Sequence, residues 1–327
     1  MKEIKPGDIV ARLSYGKDIF FKVKAVIITE QGKRTALLKG LDVRLSADAP
    51  IEDLEVQPAD QVLFYRHQDI HRCTSHFRRV RERQEARRAA RLSWMDVAAG
   101  SEGNRRGDLG EGEGFFELPG RVLHVDGDAE YLDRCLHAYR QLRLPATGFF
   151  VAEEEQASRI PELLSRYTPD ILVLTGHDGL TRRKADLSSL DSYRHSKDFV
   201  AAIRAARRLR PSHDDLVIFA GACQSYYEAL LEAGATFASS PARILIHAFD
   251  PLLVVERIAY TPIQETVAPQ EIIKDTITGE GGIGGVEIKG KLRLGYPASP
   301  RWRLFQPFFG ETPQESMPSG IKPLIKP

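Results

Sequence analysis

The sequence predicts an α/β fold, a mostly parallel sheet with helices on both faces, preceded by a small β module. Three observations predict it. From Gly120 onward, short apolar runs alternate with amphipathic segments of helical period, the order that gives right-handed crossovers and a parallel sheet. Two of the runs, ILVLTGHDG and LVIFAGACQS, stop abruptly in small and reactive residues, as buried strands do where they deliver side chains at their carboxyl ends. Residues 1–60 instead alternate apolar and polar residues between Gly-rich turns.

The 327 residues favour two domains or one domain with appendages. An apolar content of 42% suffices for a packed core, and a formal charge of +1 argues against a global polyanion partner, so nucleic acid is not an expected ligand. Three cysteines, Cys73, Cys135 and Cys223, make no disulfide framework and fit a reducing interior. No Cys/His spacing suggests zinc, and no cofactor is expected. No apolar run has the length of a membrane span, and the first residues lack the apolar stretch of a signal peptide.

Taken in order, PGDIV opens residues 1–60 as an SH3-like or Tudor-like barrel, read as a structural appendage or a docking module. Residues 61–114 follow as an Arg-rich helix without an obvious apolar stripe, expected to be a solvated linker helix. They end in a Gly-rich stretch expected to be flexible. Residues 115–297 carry the α/β pattern. RVLHVDGD is a strand and AEYLDRCLHAYRQLRL an amphipathic helix. ATGFFVA and EEEQASRIPELLSRY repeat the pair. ILVLTGHD, a loop, DFVAAIRAARRLR, LVIFAGAC and SYYEALLEAG continue it. RILIHAFD reads as a further strand, PLLVVERIAYTP as helix or strand, and VEIKGKLRLG as strand-like. The prolines of residues 298–327 predict a poorly ordered tail.

Two strand ends carry the chemistry. His177 follows five uncharged residues, and Gly176 lets the chain turn there. Cys223 ends its apolar run shortly before a helix, whose dipole is expected to lower the thiol pKa. The interval between them holds one loop, one helix and one strand, which puts both on adjacent parallel strands if the crossover is direct. An imidazole and a thiol at one rim are the minimum equipment for thiolate catalysis. Each also has a plainer reading, a satisfied polar group for His177 and a small hydrophobe for Cys223. Cys135 fits the buried side of a helix.

An apolar block ending in His-Gly, then a spacer, then a block ending in Ala-Cys resembles the caspase, gingipain and clostripain clan of cysteine peptidases. Here Asp178 intervenes between His177 and Gly179. More closely, PGDIVARLSYG, LPGRVLHVDGD, PDILVLTGHDG, YRHSKDFV, LVIFAGACQS and GATFASSPARILIHAFDP together resemble the YabG family of sporulation peptidases. That resemblance implies a caspase-like fold, Cys223 as nucleophile and His177 as acid/base. It implies spore coat and related proteins as substrates, in the mother-cell cytoplasm or the coat of a spore-former. It further implies an oxyanion site from backbone N–H groups near Gly176, Gly179 and Cys223. Clan members that cut after arginine need an acidic pocket. The position two before Cys223 is Gly221, so Asp126 and Asp128 at a strand end are the first candidates and Asp250 the second. Asp126 and Asp128 also read as an Asp-Gly turn or an acidic metal pocket. With such a pocket, Arg78 to Arg106 becomes an expected site of self-cleavage. The readings that compete with a peptidase are a flavodoxin-like regulatory module and a catalytically silent scaffold.

Overall fold

The computed structural model describes residues 3–29, 32–99, 116–181 and 185–296. The N-terminal module contains β1 (Ile9–Arg12), β2 (Phe20–Ile28), β3 (Arg34–Gly40), β4 (Ser46–Pro50) and β5 (Leu54–Val56), paired antiparallel in the order β4-β3-β2-β1-β5. Alternation along β2 and β3 turns Phe21, Val23, Ala36 and Leu38 into a small core with Val10, Ala49 and Leu54. The expected SH3-like barrel is corrected to an open sheet: among the described pairings, nothing joins β4 to β5.

A single helix, α1 (Ala59–Ala99), leaves the module. It is not the solvated linker expected. Cys73, Phe77 and Val80, at helical spacing, are buried in the main core, with the Phe77 and Phe249 rings 5.3 Å apart. Its arginines strap it to the body: Arg83 reaches Glu256 and Asp275, and Arg91 reaches Glu117. The stripe escaped the sequence reading because, among the described residues, three of a charged helix form it. The Gly-rich linker beyond residue 99 and the Pro-rich tail lie outside the described residues.

The body begins at β6 (Phe116–Leu118) and continues with β7 (Val122–Asp126), α2 (Ala129–Gln141), β8 (Ala146–Phe150), α3 (Glu153–Tyr167) and β9 (Ile171–Thr175). Then come α4 (Ser196–Leu209), β10 (Val217–Ala220), α5 (Tyr227–Glu232), β11 (Phe237–Ser239), α6 (Asp250–Ala259), β12 (Thr266–Val267), α7 (Pro269–Asp275), β13 (Ile283–Gly285), β14 (Ile288–Lys289) and β15 (Arg293–Gly295). Six strands form the central sheet in the order β13-β11-β10-β9-β7-β8, parallel except for β13. Alternate strand residues feed two cores. Val122, Val173 and Phe219 pack toward α2 and α6; Leu123, Leu172 and Ile218 pack toward α3, α4 and α5.

One strand assignment is corrected. RILIHAFD is not a strand of the central sheet; among the described residues its β-bridge is the isolated one at His247, and the strand after α5 is β11. PLLVVERIAYTP resolves into α6, so Asp250 opens a helix rather than closing a strand.

Candidate active site

β10, β9 and β7 are neighbours, with Ala220 opposite Leu174 and Thr175 opposite Asp126. The ends carrying Cys223, His177 and Asp126 therefore open on one rim, as the direct crossover requires. Gly176 is dictated by packing: a Cβ there would lie 2.2 Å from Glu153 Oε1. That carboxylate, at the start of α3, accepts the His177 backbone N–H at 2.7 Å. The ring of His177 lies between two carboxylates, with Nε2 3.2 Å from Asp128 Oδ2 and Nδ1 3.6 Å from Glu153 Oε1. The Nε2 contact is an ion-pair separation without hydrogen-bond alignment. Burial works against a charged imidazole, but Asp128 and Glu153 override it, so the His177 pKa is raised.

Asp128 caps α2 by accepting from Glu130 N and Tyr131 N. It also pairs with Lys39 Nζ at 2.7 Å, a side chain of the N-terminal module that is itself only 5% exposed. Asp128 thus faces His177 on one side and Lys39 on the other. Asp250 is also engaged within the fold. Its carboxylate is consumed by the backbone N–H groups of His247 and Ile277 and by Thr278. The paired acids Asp126 and Asp128 do not form an open metal pocket, since each faces a different cation.

Cys223 is fully buried. Gly221, at φ +107°, makes the turn that leads to it. The thiol sulfur accepts from Ile246 N at 3.3 Å. Burial pushes its pKa up to about 12, the reverse of the lowering expected from a helix N-terminus. The reason is a lid of chain over the thiol. Among the described residues no hydrogen bond links Cys223 to His177.

The lid is the link between β3 and β4. Its Asp42 O accepts from Ala248 N at 2.8 Å, Val43 forms an antiparallel bridge with His247, and Arg44 N donates to Ile246 O at 3.4 Å. Cys223 N donates to Arg44 O at 3.3 Å, and Leu45 bridges Asp178, the residue after His177. The Arg44 side chain is fully buried. Its Nη1 lies 2.7 Å from Asp126 Oδ2, and its Nε and Nη2 reach Ala248 O at 3.4 and 3.3 Å. Burial opposes both charges, yet each holds the other ionised: the Arg44 pKa rises and the Asp126 pKa falls. Beyond Leu45, a cleft of about 770 Å³ runs between the module and the body, lined by Ser46, Gly179, Leu180 and Gln224 among others.

Asp178 ties the two chemical loops together. Its buried carboxylate accepts from Ser225 Oγ at 2.8 Å, Ser196 Oγ at 2.5 Å and the N–H groups of Gly179 and His195. The Gly179 N–H is thus engaged by Asp178, and the N–H seen on a carbonyl at the rim is that of Cys223. Glu153, Asp178, Lys39 and Arg44 escaped the sequence reading. The acidic first turn of α3 was a signal for Glu153; the two basic residues sit in an alternating β segment where nothing marks them. Two clusters have donor atoms close enough for a cation, Asp69 with Cys73 and His247, and Glu153 with Glu154 and His195.

The family described as YabG peptidase U57 matches residues 5–297. The chain belongs to this peptidase family. The sporulation-specific protease YabG of Bacillus subtilis (strain 168) is 40% identical over 298 residues, 89% of this chain and 97% of that protein. No solved structure matches. Membership of the YabG family makes the chain a peptidase, a hydrolase acting on protein. The match spans the N-terminal module as well as the body, so Lys39 and Arg44 lie within the family region. Among the described residues no helix is long and apolar enough to cross a membrane.

Proposed function

We propose that the chain is a cysteine endopeptidase that cleaves after arginine and acts in spore formation, on spore coat and related proteins, within the mother cell or the coat. Cys223 is the nucleophile, His177 the acid/base, and Asp126 the carboxylate that receives the substrate arginine. One observation carries this reading: an arginine side chain fills a buried slot on Asp126 while its own carbonyl accepts from the Cys223 N–H. A guanidinium and carbonyl held in that relation are what a bound arginyl residue needs at a thiol nucleophile.

The catalytic sequence follows from the groups present. The Cys223 thiol releases its proton to water and adds as the thiolate to the arginyl carbonyl carbon, and the developing oxyanion takes the Cys223 N–H, a donor worth about 10²–10³ in rate in comparable sites. His177, kept protonated by Asp128 and Glu153, gives a proton to the leaving amine. Water then hydrolyses the thioester, returning the thiol and releasing an arginyl carboxylate. Asp178 holds the two loops in register.

Fluorogenic peptides ending in arginine, lysine or aspartate test this. Arginine is the expected preference. Cys223→Ala is expected to abolish turnover, and Asp126→Asn to cut arginyl kcat/KM by about 30-fold or more, the effect of losing about 2–5 kcal/mol from a desolvated pair. Turnover that survives Cys223→Ala would sink the assignment.

A further inference from the structure

We propose that the Arg44–Leu45 peptide is the enzyme's own first substrate, cut in cis by Cys223, and that until it is cut the site is closed. The inference rests on the arginine-directed cysteine peptidase reading above and adds the bond, its order and its consequence. The uncut chain leaves no room for a second arginine. Arg44 occupies Asp126 with no exposure to solvent, and residues 42–44 take the backbone positions along 246–248 where an extended substrate would pair.

The segment is built to stay there. Tyr131 Oη donates to the carbonyls of Gly40 and Val43, and Arg134 Nη1 donates to Leu41 O at 3.0 Å. The Leu45 N–H turns back onto Val43 O at 2.8 Å, a tight bend at the proposed scissile bond. The Arg44 carbonyl points to the Cys223 N–H. Full burial of Arg44 keeps a second enzyme molecule from the bond, so the reaction is intramolecular.

The chemistry balances with one water. The Cys223 thiol releases its proton to water and its sulfur bonds to the Arg44 carbonyl carbon, the C–N bond to Leu45 breaks, and the Leu45 nitrogen leaves as an amine with the proton of His177, which water re-protonates. Water then cleaves the thioester to an Arg44 carboxylate and the free thiol. The cut falls between β3 and β4, which are paired from Thr35 opposite Pro50 to Lys39 opposite Ser46. The nicked sheet therefore stays assembled and keeps Lys39 on Asp128. The new end at Arg44 is free to leave the pocket, and the cleft beyond Leu45 becomes the leaving-group side of an open site. We place this first cut at Arg44, apart from the stretch Arg78 to Arg106. Through residue 99 that stretch is helix, and the remainder lies outside the described residues.

The test uses full-length wild type, Cys223→Ala and Cys223→Ser, purified separately. Each is followed by denaturing mass spectrometry, N-terminal sequencing and turnover of an arginyl fluorogenic peptide. Wild type is expected to give residues 1–44 and 45–327, with a new terminus at Leu45. Both Cys223 variants are expected to stay whole, even when mixed with active wild type. Peptide turnover by freshly made enzyme is expected to rise in step with the Leu45 terminus. Wild type that turns over the peptide with Arg44–Leu45 intact overturns this inference and leaves the peptidase reading standing. Cutting of the Cys223→Ala chain at this bond by added wild type overturns the intramolecular route. Wild type that cleaves neither peptide nor itself overturns both readings.

Discussion

Asparagine at position 126 would leave the Arg44 guanidinium buried without its counter-charge. Both side chains are fully buried and their closest atoms are 2.7 Å apart. Removing one partner of such a pair costs about 3–5 kcal/mol, because the remaining charge has neither water nor a counter-ion. The Ala248 carbonyl, at 3.3–3.4 Å, recovers only a part. A domain is stable by about 5–15 kcal/mol, so Asp126→Asn removes a large share. Replacing both residues, as Arg44→Met with Asp126→Asn, removes the stranded charge as well. The pair should then cost far less than the single Asp126→Asn change, with a coupling of about 3 kcal/mol between the sites. The measurement is urea unfolding followed by circular dichroism, in a Cys223→Ala background so that every chain stays whole. A cost below about 1 kcal/mol for Asp126→Asn, or strict additivity with Arg44→Met, would refute the seat of Arg44 on Asp126.

Asp128→Asn removes a carboxylate 3.2 Å from the His177 ring while leaving a side chain that can cap α2. The His177 pKa should fall, and the alkaline limb of the kcat/KM profile should move to lower pH; an unmoved limb counts against His177 as the proton donor. The same pair sets a stability window. Asp128 has a lowered folded-state pKa, so its contribution is present above the ordinary carboxylate range and is lost as pH falls through the folded value. His177 has a raised one, so its contribution is complete below about 6.5 and fades as pH rises through the folded value. Pairwise stabilisation should thus be greatest in weakly acidic solution, and the wild-type minus Asp128→Asn difference in unfolding free energy should shrink toward either extreme. Gly176→Ala would place a Cβ 2.2 Å from Glu153 Oε1 and expel that carboxylate from the His177 N–H. Destabilisation of about 1–3 kcal/mol and at least about tenfold loss of activity are expected; wild-type activity in a stable Gly176→Ala protein would contradict the packing.

The parts of the fold that were legible in the sequence are those where the period of burial is written in contiguous residues. β7, β9 and β10 bury whole apolar runs and α4 a clear helical stripe, and they fall where the pattern places them. The adjacency of His177 and Cys223 followed from a single crossover. RILIHAFD misled because an apolar run records burial, not its cause. Ile246 and Ala248 are buried beneath the β3–β4 link rather than within a ladder of the central sheet. Sequence shows a helix near Cys223 but cannot show a lid, and burial by distant chain reverses the sign of the expected shift. Sequence ranks Asp126 and Asp128 before Asp250 as pocket acids but cannot show their partners, since Arg44, Lys39 and the 277–278 backbone come from far along the chain.

Lys39 decides whether the N-terminal module is an appendage or part of the site. Its ammonium lies 2.7 Å from Asp128 and 2.9 Å from Glu130, almost without solvent. An appendage that merely docks would contribute stability, and Lys39→Met would lower the unfolding midpoint and leave the pH profile in place. A cation on the far side of Asp128 acts otherwise. It competes with the imidazolium for one carboxylate and adds a positive potential beside His177, so it holds the His177 pKa below the value that two carboxylates alone would set. Removing it should raise that pKa and carry the alkaline limb of kcat/KM upward, opposite in sign to Asp128→Asn. Two substitutions at one ion pair that displace the same limb in opposite directions cannot both act through loss of stability. They require that the module's β3 reaches the proton on His177, which is also the strand that delivers Arg44 to Cys223.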